Sequence, residues 1–249
     1  MLGIRALFAP GAIFSFKDFR RVFLSSSIMS IGGGALPMAL AIVIIDSGGS
    51  ATTLGLVLAA KMLSSTGFVV VGGVWADRLP RKWVMIGADT FRGLIALTLV
   101  FISANHMPLW AIGLLVFLMG LGDSFGAPAG SAIVPSLLPD ELLPQGNVAK
   151  GLVAKVGTIV GPGIGGLAVA TIGADYTFAV TAVAFFIGTS LLFGIKEKPR
   201  QEILEDKPTF FFELKEGFKL VWEIKWIAAS IAMASFQLMV IVAAETVLL

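Results

Sequence analysis

Six ionisable side chains stand inside otherwise apolar stretches of this chain: Lys61, Asp89, Arg92, Asp123, Lys155 and Glu245. The stretches are long enough to cross a bilayer, and a charge at a bilayer centre costs roughly 2.5–3.5 kcal/mol even on lenient insertion scales. Each of the six therefore needs a reason to be there. A carboxylate in such a place can take up and release a proton or meet a cationic molecule, and a neighbouring cation can serve as its counter-charge. Catalysis by nucleophile and base is a poor fit, because the chain has no cysteine and one histidine, His106, in a short polar connection. No metal site, no cofactor and no enzyme are expected, and no phosphate-binding glycine loop of the required spacing is found.

Lys61 and Asp123 carry the sharpest expectation. At about 1.5 Å rise per residue, Lys61 lies some 12 Å from the outer end of its expected helix and Asp123 some 16 Å from the inner end of its own. In a hydrocarbon core about 30 Å thick both are near mid-depth. Proton exchange or cation recognition at Asp123, balanced by Lys61, fits this placing, and so does a static buried pair or a polar lining. Asp89 and Arg92 are three residues apart on one helix face, where they can pair with each other or with the polar loop that precedes them. Lys155 is placed to snorkel, and Glu245 to reach headgroups.

The elements that hold these residues are helices. Of 249 residues 57% are hydrophobic and 14% charged, with a mean hydropathy of +0.93, which leaves too little charge to cover a water-soluble domain. Seven segments have the length of a membrane span: Val22–Ile45, Thr53–Trp75, Trp83–Ser103, Leu109–Val134, Val148–Thr171, Tyr176–Ile195 and Trp226–Leu249. Strands are excluded by that length, since an open sheet edge is not tolerated in lipid. The expected fold is an all-α membrane protein, a six-helix bundle over 22–195 followed by a seventh helix over 226–249.

Lys and Arg are retained on the cytoplasmic side. Arg5, Lys17, Arg20 and Arg21 precede the first span, Arg78, Arg81 and Lys82 follow the second, Lys150 marks the fourth connection, and seven lysines and arginines fill 196–225. Connections around Ser47–Thr52, Ala104–Pro108 and Ile172–Asp175 contain none. The N-terminus is therefore expected inside the cell membrane, with 1–21 a cytoplasmic arm and 196–225 a cytoplasmic loop carrying an amphipathic stretch at Phe210–Trp222. The basic balance belongs to membrane flanks, so nucleic acid is not an expected partner. The abrupt stop at Leu249 after an apolar run reads as truncation.

Two motifs narrow the class. Gly73-Val-Trp-Ala-Asp77-Arg78-Leu-Pro80-Arg81-Lys82 resembles the loop motif between the second and third helices of the major facilitator superfamily, with Pro80 in place of a second glycine. Physically, Gly73 is expected to permit close helix approach, Pro80 to fix a turn and Asp77 to accept bonds from a helix start or an arginine. On the fifth span, Gly157-Thr-Ile-Val-Gly161-Pro162-Gly163-Ile-Gly165-Gly166 resembles the helix motif of drug:proton antiporters in that superfamily. Small residues let helices approach, and Pro162 removes a backbone bond. Phe16-Lys-Asp-Phe19-Arg20-Arg21, and Phe210–Trp226 with Glu213, Gly217 and Phe218, resemble the macrolide-efflux and enterobactin-exporter branch.

The resemblance implies a twelve-helix efflux transporter of the multidrug-resistance type, of which this chain is the N-terminal half plus one helix. It would export a small lipophilic or amphipathic molecule by proton antiport and alternating access, with the C-terminal half as its missing partner. It implies that the Gly73–Lys82 loop, with Asp89 and Arg92 behind it, latches the two halves in one conformation, and that the fourth helix lines the cavity. An arginine common in the fourth helix of proton antiporters is Val116 here, so proton coupling does not carry over by motif. The alternatives are a fragment that inserts without transporting, or a siderophore exporter or facilitator without proton coupling. Met29, Met38, Phe117 and Phe125 suit an apolar cavity and helix packing equally.

Overall fold

The computed structural model describes residues 11–104, 108–197, 223–226, 229, 230 and 233. Two compact units are distinguished, Met1–Pro199 and Arg200–Leu249. In the second only a few helical residues are described, with the Ser230 hydroxyl donating to the Trp226 carbonyl at 2.8 Å. Most of the expected seventh span and of the central loop, all of the amphipathic stretch, Glu245 and His106 lie outside the described residues.

The first unit is built from α1 (Lys17–Gly34), α2 (Leu36–Asp46), α3 (Ala51–Gly67), α4 (Val69–Arg78), α5 (Arg81–Ala104), α6 (Leu109–Ala132), the short α7 (Val134–Leu137), α8 (Leu143–Ile172) and α9 (Ala174–Phe193). Among the described residues there is no strand. Among the described residues five stretches are long and apolar enough to cross a membrane, counting α1 and α2 together as Lys17–Asp46, and α3 with α4 makes a sixth, bent by 42°. The protein is a multi-pass helical membrane protein.

Local chemistry sets the ends of these helices. Ser50 and Thr53 form a reciprocal cap at the start of α3, each side-chain oxygen accepting from the other's backbone N–H at 3.3 and 3.2 Å. Gly173, at φ 88°, makes the sharp turn from α8 into α9 that a side chain would resist. Leu79 is extended ahead of Pro80, which ends α4 and lets α5 start two residues later.

Spatially, α1 packs on α8 and α9, α5 on α9 and α6, and α6 on α3 and α4. Two apolar cores result. One, near the Gly73–Lys82 loop, gathers Phe19, Val22, Met85, Ile133, Val134 and Leu192. The other, towards the opposite end, gathers Leu40, Ile44, Val57, Leu99, Ile112 and Phe178. Between the two cores fall Lys61 of α3, Asp89 and Arg92 of α5, and Asp123 of α6.

Two helix starts come well before the expected ones, and one is that of α8, at Leu143 against Val148. The first helix starts at Lys17, five residues before Val22, and Ile13, Phe14 and Phe19 are buried in the core near the loop. Phe14 stacks on Phe19 and Phe23 with ring centroids 6.1 and 4.7 Å away, so the arm is packed from Ile13 onward.

Candidate functional site: a charge cluster between two apolar cores

Four ionisable side chains from three helices meet between the cores. Lys61 of α3 reaches Asp123 of α6, Nζ to Oδ2 at 3.1 Å. Arg92 of α5 donates through one terminal nitrogen to the other oxygen of Asp123 and through its second to Asp89. Its guanidinium also lies 4.5 Å from the centroid of the Phe185 ring on α9. Two carboxylates thus face two cations, and the cluster is formally neutral.

Glycines on α6 make the meeting possible. A Cβ at Gly122 would fall 2.5 Å from the Cγ of Arg92, and one at Gly120 would fall 2.3 Å from the Lys61 carbonyl. Any larger residue would push α5 or α3 away from Asp123. Ser64 strengthens the same contact, its hydroxyl donating across to the Phe117 carbonyl at 2.7 Å.

Exposure separates the members. Lys61 and Asp123 keep 31% and 27% of their side-chain surface, whereas Asp89 keeps 5%. Asp123 is thus the reachable carboxylate, and Asp89 is sealed behind Arg92. Because an arginine stays charged, uptake of a proton by Asp123 would leave Lys61 without its partner while Arg92 kept Asp89. The Arg92 Nε is buried with no hydrogen-bond partner among the described residues.

The two residues singled out at mid-depth are therefore together. Asp89 and Arg92 pair with each other, one of the two options expected; the link from Arg92 to Asp123 was not foreseen. Its signal was available in the glycines that flank Asp123, at 122 and 126, on the face turned to Ala88, Asp89 and Arg92. Lys155 is exposed on α8 and outside the cluster.

The loop motif does a different job. Lys82 at the start of α5 donates to the carbonyls of Phe193 and Ile195 at 2.8 and 3.0 Å, and Glu197 accepts from the backbone N–H groups of Arg81 and Lys82 at 3.3 and 3.1 Å. Arg21 donates to the Gly194 carbonyl. The end of α9 is thus clamped to the starts of α5 and α1. Gly73 does not mediate close approach within this unit: a Cβ there meets nothing within 4 Å, while one at Gly72 would sit 1.9 Å from the Ser124 carbonyl. One residue is about 100° of helix rotation, enough to move the contact from one glycine to its neighbour. Asp77 and Arg78 close α4 beside this clamp.

On α8, Gly157, Gly161 and Gly165 face Ser30, Gly34 and Ala35, where added Cβ atoms would meet α1 and its junction at 1.8 to 2.6 Å. Gly166 faces open space. Pro162 stands inside an α8 that runs unbroken from Leu143 to Ile172. Met29 is packing and not lining, since it fills the gap left by Gly188, whereas Met38 is exposed.

A family model described as Major Facilitator Superfamily matches residues 22–248. The chain belongs to that superfamily. Among its relatives in the superfamily, macrolide efflux protein A of Streptococcus pyogenes is 24% identical over 228 residues, covering 89% of this chain and 55% of that protein. The enterobactin exporter EntS of Escherichia coli is 31% identical over 187 residues, covering 73% of this chain and 44% of that protein. The chain thus spans about half the length of these superfamily relatives.

Proposed function

We propose that this chain is the N-terminal portion of a secondary transporter that exports a small lipophilic or amphipathic molecule across the cell membrane, its N-terminus cytoplasmic. Export is coupled to proton entry by alternating access, and a second helical half, the C-terminal part of the transporter, completes the substrate path. The single observation that carries the reading is the neutral cluster of Lys61, Asp89, Arg92 and Asp123 between the two apolar cores, with Asp123 its accessible carboxylate. Ionisable side chains within membrane spans are costly even when paired, and they mark paths for protons or substrate. The two named relatives, one for macrolide efflux and one for enterobactin export, support an organic cargo and outward transport.

In this scheme proton and cargo compete for one state of Asp123. Deprotonated, the carboxylate holds Lys61 and Arg92 and draws α3, α5 and α6 together. Protonated, it releases Lys61, and the contact between α3 and α6 loosens. The loop and the clamp at the end of α9 keep the base of the unit rigid while this happens.

The test is export from proteoliposomes carrying the twelve-helix protein under an imposed pH gradient. Asp123→Asn is expected to remove gradient-driven export and its pH dependence while leaving substrate binding measurable. Export by Asp123→Asn that still follows the gradient would reject proton coupling at this residue and favour a transporter without proton antiport.

A further inference from the structure

The helices α4 and α5 are consecutive, yet they barely touch, while both pack along α6. Between them lies a cleft of about 630 Å3, floored by Leu121 and Phe125 of α6 and walled by Trp75, Trp83 and Phe91. Gly87 of α5 also lines it, and a Cβ there would meet nothing within 4 Å, so the cleft reaches the helix backbone. The volume is within the range of roughly 300–1,000 Å3 in which pockets enclose small organic ligands. Its lining is almost wholly apolar, and Trp75 and Trp83 are each more than half exposed. Tryptophans so placed mark the level of lipid headgroups.

At the mouth the chemistry changes within one residue. Pro80 lines the cleft and Arg81 follows it. Of the charges around the mouth, Lys82 is held by the carbonyls of Phe193 and Ile195, and Glu197 is taken up by the N–H groups at the start of α5. Asp77 and Arg78 at the end of α4 balance each other in formal charge. The Arg81 guanidinium has no hydrogen-bond or ion-pair partner among the described residues. An apolar slot that opens at headgroup level beside an uncommitted guanidinium matches a molecule with an alkyl chain and a phosphate. Basic pockets between spans bind anionic headgroups by this arrangement.

We propose that the α4–α5 cleft holds one acyl chain of an anionic phospholipid, whose phosphate is taken by Arg81 at the cleft mouth. The lipid would fill the gap between the second and third spans and tie the loop to the membrane surface. Nothing in this depends on proton coupling.

The test uses the whole chain, purified in mild detergent and examined by native mass spectrometry with equal amounts of dioleoyl phosphatidylglycerol and dioleoyl phosphatidylcholine. One phosphatidylglycerol is expected to be retained about fivefold over phosphatidylcholine, the preference one cation near a surface supplies. Gly87→Phe, whose Cβ meets nothing within 4 Å and whose ring would occupy the cleft, should abolish retention, and Arg81→Gln should erase the preference between the two lipids. Gly163→Phe on α8, whose Cβ likewise meets nothing within 4 Å, should leave both unchanged. Equal retention of the two lipids by the unaltered chain, no lipid retained at all, or retention that survives Gly87→Phe would each overturn the proposal. A second measurement leaves the cleft intact: with Trp110, Trp222 and Trp226 replaced by Phe, brominated-acyl phosphatidylglycerol should quench Trp75 and Trp83 more than its phosphatidylcholine counterpart. Equal quenching would also overturn it.

Discussion

Replacing Arg92 by methionine tests the charge arithmetic of the cluster. Methionine keeps an unbranched stem that fits the space opened by Gly122 and removes the positive charge. Two carboxylates would then face Lys61 alone, whose ammonium pairs among the described residues with Asp123. Asp89, 3% exposed, would lose its only ion-pair partner among the described residues. Removing one partner of a buried pair costs about 3–5 kcal/mol. That is roughly two to nearly four orders of magnitude in the ratio of folded to unfolded protein. Arg92→Met combined with Asp89→Asn removes one charge of each sign and leaves the Lys61–Asp123 pair neutral, so the double variant should recover to within about 1 kcal/mol of the parent, as apolar or neutral replacements of whole pairs do. The assay is unfolding in mixed micelles of rising dodecyl sulfate content, followed by far-ultraviolet circular dichroism. A loss below about 1 kcal/mol for Arg92→Met, or a double variant no better than the single one, would show that Arg92 is not what holds Asp89.

Two further outcomes follow from contacts already given. Gly161→Ala places a Cβ 2.6 Å from the Gly34 Cα, a backbone atom that cannot turn aside, and should cost about 1–3 kcal/mol in the same unfolding assay, whereas Gly166→Ala, facing open space, should stay within about 0.5 kcal/mol. Glu197→Gln keeps the shape of the clamp but removes the negative charge at the start of α5, and amide exchange at Arg81 and Lys82, read by mass spectrometry, should quicken by about two- to fivefold.

Level along each helix was legible in the sequence, and direction around each helix was not. Counting residues from the span ends placed Lys61 and Asp123 at one level, because rise per residue is fixed. Which way each side chain turns is read from an amphipathic stripe, and a helix that is apolar all round has none. That is why Gly73 was expected where Gly72 makes the contact, and why Arg92 was assigned to its own helix and the loop without Asp123. The bend between α3 and α4 and the packed start at Ile13 depend on neighbours that no local pattern names. The family motifs were readable for another reason: their spacing is short and local, and the clamp by Lys82 follows from its position at a helix start.

The cluster has a consequence for how the chain is made. Asp89 and Arg92 travel on one helix and can enter the bilayer as a pair, but Lys61 and Asp123 reside on α3 and α6, with a whole span synthesised between them. Each would cost roughly 2.5–3.5 kcal/mol if its helix were released into lipid alone. Insertion one span at a time is therefore disfavoured here. The second, third and fourth spans have a shared reason to be held at the insertion machinery until all three have emerged, and to leave it as a single assembled wedge.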